Sequence, residues 1–172
     1  PYAVTLARAT DAQISLIAVL EALPVHATLP SAAEQERDER QITESAAYLT
    51  SVADTLRERG LTVTTVIRHG NPASAILADS EAENCSLIVM STHGRTGLDR
   101  VRMGSVAQHV FRHAAIPTLV VRSSSNEPTD GAASIASITV TLDGSALAEQ
   151  ALPFAARLAA ALAVPLALLR II

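Results

Sequence analysis

Three residues within one short stretch could together hold an anion: Gly94, Gly104 and Ser105. They lie in LIVMSTHGRTGLDRVRMGSVAQHVFRHAAIPTLVVR, residues 87–122 of a 172-residue chain. Glycines let a backbone approach an anion closely, and the free N–H groups of a helix's first turn point at it. His93, in the same loop, could reach a ligand. Arg95 and Arg100 could pair with phosphate, although exposed loop arginines are usually solvated. His109 and His113 stand at i, i+4 on the following helix, a spacing that can bind metal, but no carboxylate or cysteine obviously completes a set. No metal ligand is therefore assigned. Cys85 precedes a buried strand and reads as a packing residue. No Ser-His-Asp spacing, carboxylate dyad or Walker lysine is legible, so no catalytic residue is assigned.

The elements that must position these residues follow from hydrophobic periodicity. Leu87 to Met90 reads as a buried strand, Ser91 to Met103 as a polar loop, Gly104 to Ala114 as a helix and Thr118 to Val121 as a strand. Upstream, Ile14 to Leu20 is a nearly continuous apolar run, the pattern of a strand buried on both faces. Ser31 to Arg59 is helical, with Ile42, Ala46, Leu49, Ala53 and Leu56 recurring at helical spacing and Gly60 placed to end it. Val63 to Arg68 is β-branched and reads as the next strand. Asn71 and Pro72 then form an N-cap and first helical position for a helix reaching about Glu83. Strands and helices alternate, which implies a parallel sheet covered by helices on both faces.

Composition bounds the function classes. Hydrophobic residues make up 49% and charged residues 17%, ample for a core and contrary to disorder. Aromatics are 2% and the net charge is −4, which argues against base stacking and against a nucleic-acid footprint. One cysteine excludes a disulfide framework or a Cys-rich metal site. No apolar run is long enough to span a membrane and no signal-peptide pattern opens the chain, so a soluble cytoplasmic protein is expected.

Residues 123–134 (SSSNEPTDGAAS) read as a linker. Beyond it come a strand over Ile135 to Leu142, the turn Asp143-Gly144-Ser145, a helix over Ala146 to Ala163 and a buried strand from Leu166 to Ile172. An internal repeat organises this segment. Pro1 to Leu20 aligns without gaps on Pro153 to Ile172, matching Pro1, Ala3, Leu6, Ala7, Ala9 and Leu16 with Pro153, Ala155, Leu158, Ala159, Ala161 and Leu168. Residues 1–122 are thus expected to be one domain lacking its first strand, and residues 135–172 the beginning of a second copy.

The stretch MSTHGRTGLDRVRMGSVAQHVFRHAAIPTLVVR, together with TVTLDGSALAEQALPFAARLA, resembles the universal stress protein family. ATP-binding members carry G-x-x-G, a nine-residue spacer, then G-[ST]. Here Gly94 is the second glycine, residues 95–103 are the spacer and Gly104-Ser105 closes the motif, while Ser91 replaces the first glycine. The resemblance implies an open, twisted, parallel five-stranded sheet in order 3-2-1-4-5 with helices on both faces, adenine-nucleotide-α-hydrolase-like, with ATP across the carboxyl ends of the strands. It maps Val19 to the adenine pocket. Met90, Ser91, His93 and Gly94 fall near ribose and phosphates, and Gly104, Ser105 and Val106 at the phosphates. Asp143 becomes the acidic residue facing the adenosine.

The implied function is an adenine-nucleotide-binding stress-response module, taking ATP with or without Mg, acting by binding and dimer contacts, with at most slow hydrolysis. The alternative is a family member that binds no nucleotide and serves as a dimerising scaffold, which Ser91 favours. An ATP-dependent enzyme of the wider group would need catalytic residues that are not legible. A central strand missing from the first copy would leave unpaired edges, so residues 135–163 are expected to complete its sheet, within the chain or by exchange between copies. Asp143 would then face the Gly94–Gly104 loop.

Overall fold

The computed structural model describes residues 1–21, 31–91, 103–122 and 133–170. Its elements run α1 (Tyr2–Thr10), β1 (Ile14–Leu20), α2 (Ala32–Glu58), β2 (Val63–His69), α3 (Pro72–Ala82), β3 (Ile88–Ser91), α4 (Ser105–His113), β4 (Thr118–Val121), β5 (Ile138–Leu142), α5 (Ala146–Glu149), α6 (Ala151–Leu162) and β6 (Leu166–Arg170). The chain divides into two compact units: Ile14–Pro128, and Pro1–Gln13 with Thr129–Ile172. The first helix therefore groups with the segment whose sequence repeats it.

Within Ile14–Pro128, side-chain caps start the helices. Ser31 forms a capping box: its N–H donates to Glu34 Oε2 at 2.7 Å, and the Glu34 N–H donates to Ser31 Oγ at 3.3 Å. The Ser31 N–H and then the Ser31 hydroxyl, which also donates to Glu34 Oε2 at 2.7 Å, hold the Glu34 carboxyl below its ordinary range. Asn71 Oδ1 accepts from the Ser74 N–H at 3.1 Å, with Pro72 in the first helical position. Helix α2 buries Leu49 and Ala53, the centre of the apolar stripe read from the sequence. Gly60, just past it, has φ +81°, which glycine takes without steric cost.

The strands of this unit form two parallel pairs. β1 lies beside β2 from Ile14↔Val63 to Leu20↔His69, and β3 beside β4 from Ile88↔Thr118 to Ser91↔Val121. These match the neighbours 2-3 and 4-5 of the expected order. A continuous five-stranded sheet is not assembled: among the described residues each of these strands pairs with one other. The expected order places a further strand between the two pairs, and none is paired there among the described residues. Val110, Ile88 and Ala73 form a buried cluster, with Ile76, Leu77, Met90, Val106, Ala114 and Ile116 packed against it. It joins α3, β3 and α4.

In the other unit, α1 packs on α6, and β5 lies parallel to β6 from Ile138↔Leu166 to Leu142↔Arg170. The Thr5 hydroxyl donates to the Ala133 carbonyl at 2.8 Å. Val4, Leu6, Ala7, Val140, Ala155 and Ala159 are buried. The repeat has a conformational counterpart. Asp11 (φ 52°, ψ 38°) and Ala163 (φ 54°, ψ 43°), which align in the repeat, both end their helices in the left-handed region. The next residue closes the same bond in each case, Ala12 N–H to Ala7 O at 2.9 Å and Val164 N–H to Ala159 O at 3.0 Å.

Three expectations are corrected here. The helix over 146–163 is two helices meeting at Gln150: Pro153 has no N–H for the Glu149 carbonyl, and its ring crowds that carbonyl. The strand begins at Ile138 rather than Ile135. Strand β6 is not buried; Leu168 is 59% and Leu169 54% exposed, because this strand pairs with β5 alone among the described residues.

Candidate functional site

The loop that feeds α4 begins where β3 ends. Met90 is half-buried and its side chain packs on the Ala73–Ile88–Val110 cluster. Ser91, exposed, is the last strand residue, paired with Val121. It is not among the positive-φ residues of the chain, so a serine stands there without left-handed strain. His93 and Gly94, with Arg95 and Arg100, lie outside the described residues.

Structure resumes at Met103. Gly104 is the N-cap of α4 with φ −59° and ψ 155°, and it supplies no side-chain cap. Its carbonyl accepts the first helical bond, from the Gln108 N–H at 2.9 Å. The amides of Ser105, Val106 and Ala107 precede that bond and point out of the helix end. By contrast α2, α3 and α5 each have a Ser or Asn side chain on the corresponding amides. Ser105 is exposed at this end, whereas Val106 packs against the same cluster as Met90. The structure thus brings Met90 and Val106 onto one apolar cluster, and sets Gly104 and Ser105 at the helix end that cluster supports. Outward amides, the positive end of the helix dipole, a hydroxyl and, among the described residues, no capping side chain are chemistry suited to an anion.

Val19 stands on the other strand pair, half-buried and opposite Arg68. The Arg68 guanidinium is engaged by Asp79 of α3, through Nε at 2.9 Å and also Nη2. The Asp79 side chain is only 9% exposed, against 46% for Arg68. Sequence reading did not single out this pair. The signal for it was a carboxylate on the α3 stripe that also carries Ile76 and Ser80. Burial, then the Asp79 and Glu83 carboxylates, push the Cys85 thiol upward, which disfavours the thiolate a nucleophile needs.

Asp143 belongs to the other compact unit, in the turn after β5. Its Oδ1 accepts from the Ser145 N–H at 2.8 Å, and Ser145 Oγ accepts from the Ala148 N–H at 3.1 Å to cap α5. Hydrogen bonds from the Ser145 hydroxyl and then its backbone N–H hold the exposed Asp143 carboxyl below the usual aspartate range. It stays ionised at neutral pH and is free to accept further hydrogen bonds. Gly144 has φ +86°, and a Cβ there would stand 3.5 Å from the Arg170 guanidinium. Arg170, at the end of β6, is thus a second charged neighbour of this turn that the sequence did not flag. Among the described residues no cluster of three metal-ligating side chains occurs, and no helix is long and apolar enough to cross a membrane.

Comparison with known proteins places these features. Residues 2–122 match the Universal stress protein family. Universal stress protein MJ0531 of Methanocaldococcus jannaschii is 33% identical over 127 residues, 73% of this chain and 74% of that protein. Two solved structures share the fold at lower identity. A universal stress protein family protein from Arabidopsis thaliana, with AMP bound, has a TM-score of 0.50 at 22% identity, over 73% of this chain and 76% of that one. A putative universal stress protein from Pseudomonas aeruginosa has a TM-score of 0.55 at 21% identity, over 93% of this chain and 62% of that one. The α/β fold is that of universal stress proteins, and on the extent of the family match and the identity to MJ0531 this chain belongs to the universal stress protein family.

Proposed function

We propose that this chain binds an adenine nucleotide, ATP with or without Mg, and acts through binding and contacts between copies rather than through fast turnover. The observation that carries this reading is the amino end of α4. It opens on Gly104 with no side-chain cap on its first amides among the described residues, beyond the end of β3, in a member of a family in which one structural neighbour has AMP bound. In this reading Gly104, Ser105 and Val106 present amides and a hydroxyl to the phosphates. Met90, Ser91, His93 and Gly94 line the ribose and phosphate side, Val19 contacts adenine, and Asp143 accepts from the adenosine of the copy to which it belongs. Residues 1–122 are then one domain lacking its first strand and residues 135–172 the first β-α-β portion of a second copy, with 123–134 as linker. The matched C-caps at Asp11 and Ala163 support that division.

Ser91 favours a second reading, a family member that binds no nucleotide and serves as a dimerising scaffold, because its side chain stands where the motif has a bare backbone. Equilibrium titration with a fluorescent ATP analogue separates the two. Saturable binding, displaced by unlabelled ATP, is expected under the first. Absence of saturation at millimolar ATP supports the scaffold.

A further inference from the structure

We propose that the open edge of β1 takes β5 of a second copy of this chain, so that β5 is a strand with two equivalent partners. The repeat makes β1 the counterpart of β6. Leu166–Arg170 aligns with residues 14–18, and the preceding helices, α6 and α1, end in the same left-handed cap at Ala163 and Asp11. The β5–β6 register, Ile138↔Leu166 to Leu142↔Arg170, therefore carries over as Ile138 beside Ile14 through Leu142 beside Ala18.

The free edge of β1 is the one this pairing needs. β1 to β2 and β5 to β6 are both parallel crossovers through helices, and such crossovers are right-handed. Arg68 reaches α3, so α2 covers the opposite face of β1 and β2, where Leu20 and Val63 are buried. α6 covers the Val140 face of β5 and β6, since Thr139, Thr141, Ala167 and Leu169 on the other face are exposed. Leu168, on the Val140 face, aligns with Leu16 on the α2 face, so the two helices lie on equivalent sides. With one hand on one side, β2 fills one edge of β1 and β5 fills the opposite edge of β6. The edge of β1 that corresponds to the β5-bound edge of β6 is unpaired among the described residues.

A donated strand gains there. α3 packs on β1 and shares the Ala73–Ile88–Val110 cluster with β3, yet β1 and β3 do not pair among the described residues. A β5 set on β1 thus gives up its ladder to β6 and has open edges of both β1 and β3 to meet. Reciprocal exchange closes a two-fold dimer, a low-cost route to association. On the nucleotide reading above, the register also sets Asp143 of the donated segment, next after Leu142, level with Val19, next after Ala18.

The test is disulfide trapping between full chains that each carry one introduced cysteine, with Cys85→Ser to remove the native thiol. Ser15 and Thr139 are exposed and fall side by side in the proposed register, at the ~5 Å strand spacing that a disulfide spans. Thr64, paired with Ser15 on β2, stands one strand further, roughly 10 Å away and beyond disulfide reach. Ser15→Cys and Thr139→Cys chains, mixed, incubated and mildly oxidised, should give roughly tenfold more mixed disulfide dimer than Thr64→Cys with Thr139→Cys. Thr139→Cys with Ala167→Cys in one chain should close internally, as the β5–β6 register requires, and so confirms that substituted β5 still folds. Equal yields from the two mixtures, or closure of Ser15→Cys with Thr139→Cys only within single chains, overturns exchange between copies. The disulfide is read without nucleotide, so a chain that binds no ATP leaves this result standing.

Discussion

At the residue scale, the proposed nucleotide site turns on two positions. Gly104 has ordinary extended dihedrals rather than a positive φ, so in this reading its value lies in placing no side chain of its own on the α4 amides, not in reaching a conformation closed to other residues. Ser91 departs from the family's glycine at a position whose φ is not positive. Ser91→Gly is therefore expected to tighten ATP binding, while lowering stability by about 1 kcal/mol through backbone entropy at the strand end. Paired titrations and chemical denaturation of parent and variant measure both. An affinity unchanged by the substitution would remove Ser91 as the reason for weak binding. At Asp143 the turn is already set by Ser145. Its lowered pKa means that the contribution of this contact is present above the unfolded aspartate range and is lost as pH falls through the depressed value.

At the element scale, caps and charges decide what the apolar pattern leaves open. Ala163 ends α6 at φ 54°, a conformation that costs an alanine about 1–2 kcal/mol relative to glycine. Ala163→Gly should raise stability by about 1 kcal/mol once the greater unfolded-state freedom of glycine is deducted. A lowered denaturation midpoint would mean that Ala163 is not left-handed in solution. The Arg68–Asp79 pair locks β2 to α3. Arg68→Met strands a carboxylate that is 9% exposed and is expected to cost about 2 kcal/mol, reduced from the fully buried case because Arg68 itself is half exposed. The double variant Arg68→Met, Asp79→Leu should recover much of that loss. Equal losses in the single and double variants would show that the ion pair is not the cause.

Most of these elements were legible beforehand. The Ile42–Leu56 stripe, the caps at Ser31 and Asn71 and the glycine opening of α4 are local features, and local features survive folding. The break at Gln150 was also written locally, in Pro153, but the strong Ala/Leu periodicity on either side masked it. Arg68–Asp79 and Arg170–Gly144 could not be read from spacing, because each contact depends on which strand lies beside which helix or turn.

At the scale of the whole molecule, the family and its α/β fold follow from a motif spread over residues 91–105 and from the match over 2–122. The pairing of strands was less legible. Apolar runs identify β1, β3 and β6 as strands but do not say which edge each one fills. The exposed leucines of β6 show how far burial depends on neighbours rather than on composition. Nucleotide binding is the property that would unite these pieces, since a ligand held by the folded state alone raises stability by RT ln(1 + [L]/Kd).

The most direct measurement is ATP binding by the intact chain and by Gly104→Asp, each followed by titration and by thermal unfolding. Aspartate at an N-cap satisfies the first-turn amides and favours the helix by a few tenths of a kcal/mol over glycine, yet places a negative charge where a phosphate would sit. The parent should bind ATP saturably and unfold at a higher temperature when ATP is present. Gly104→Asp should fold at least as stably as the parent, lose the binding and show no shift with ATP. A variant that binds ATP as tightly as the parent would contradict a phosphate site at the amino end of α4, and a parent that fails to saturate at millimolar ATP would contradict nucleotide binding itself.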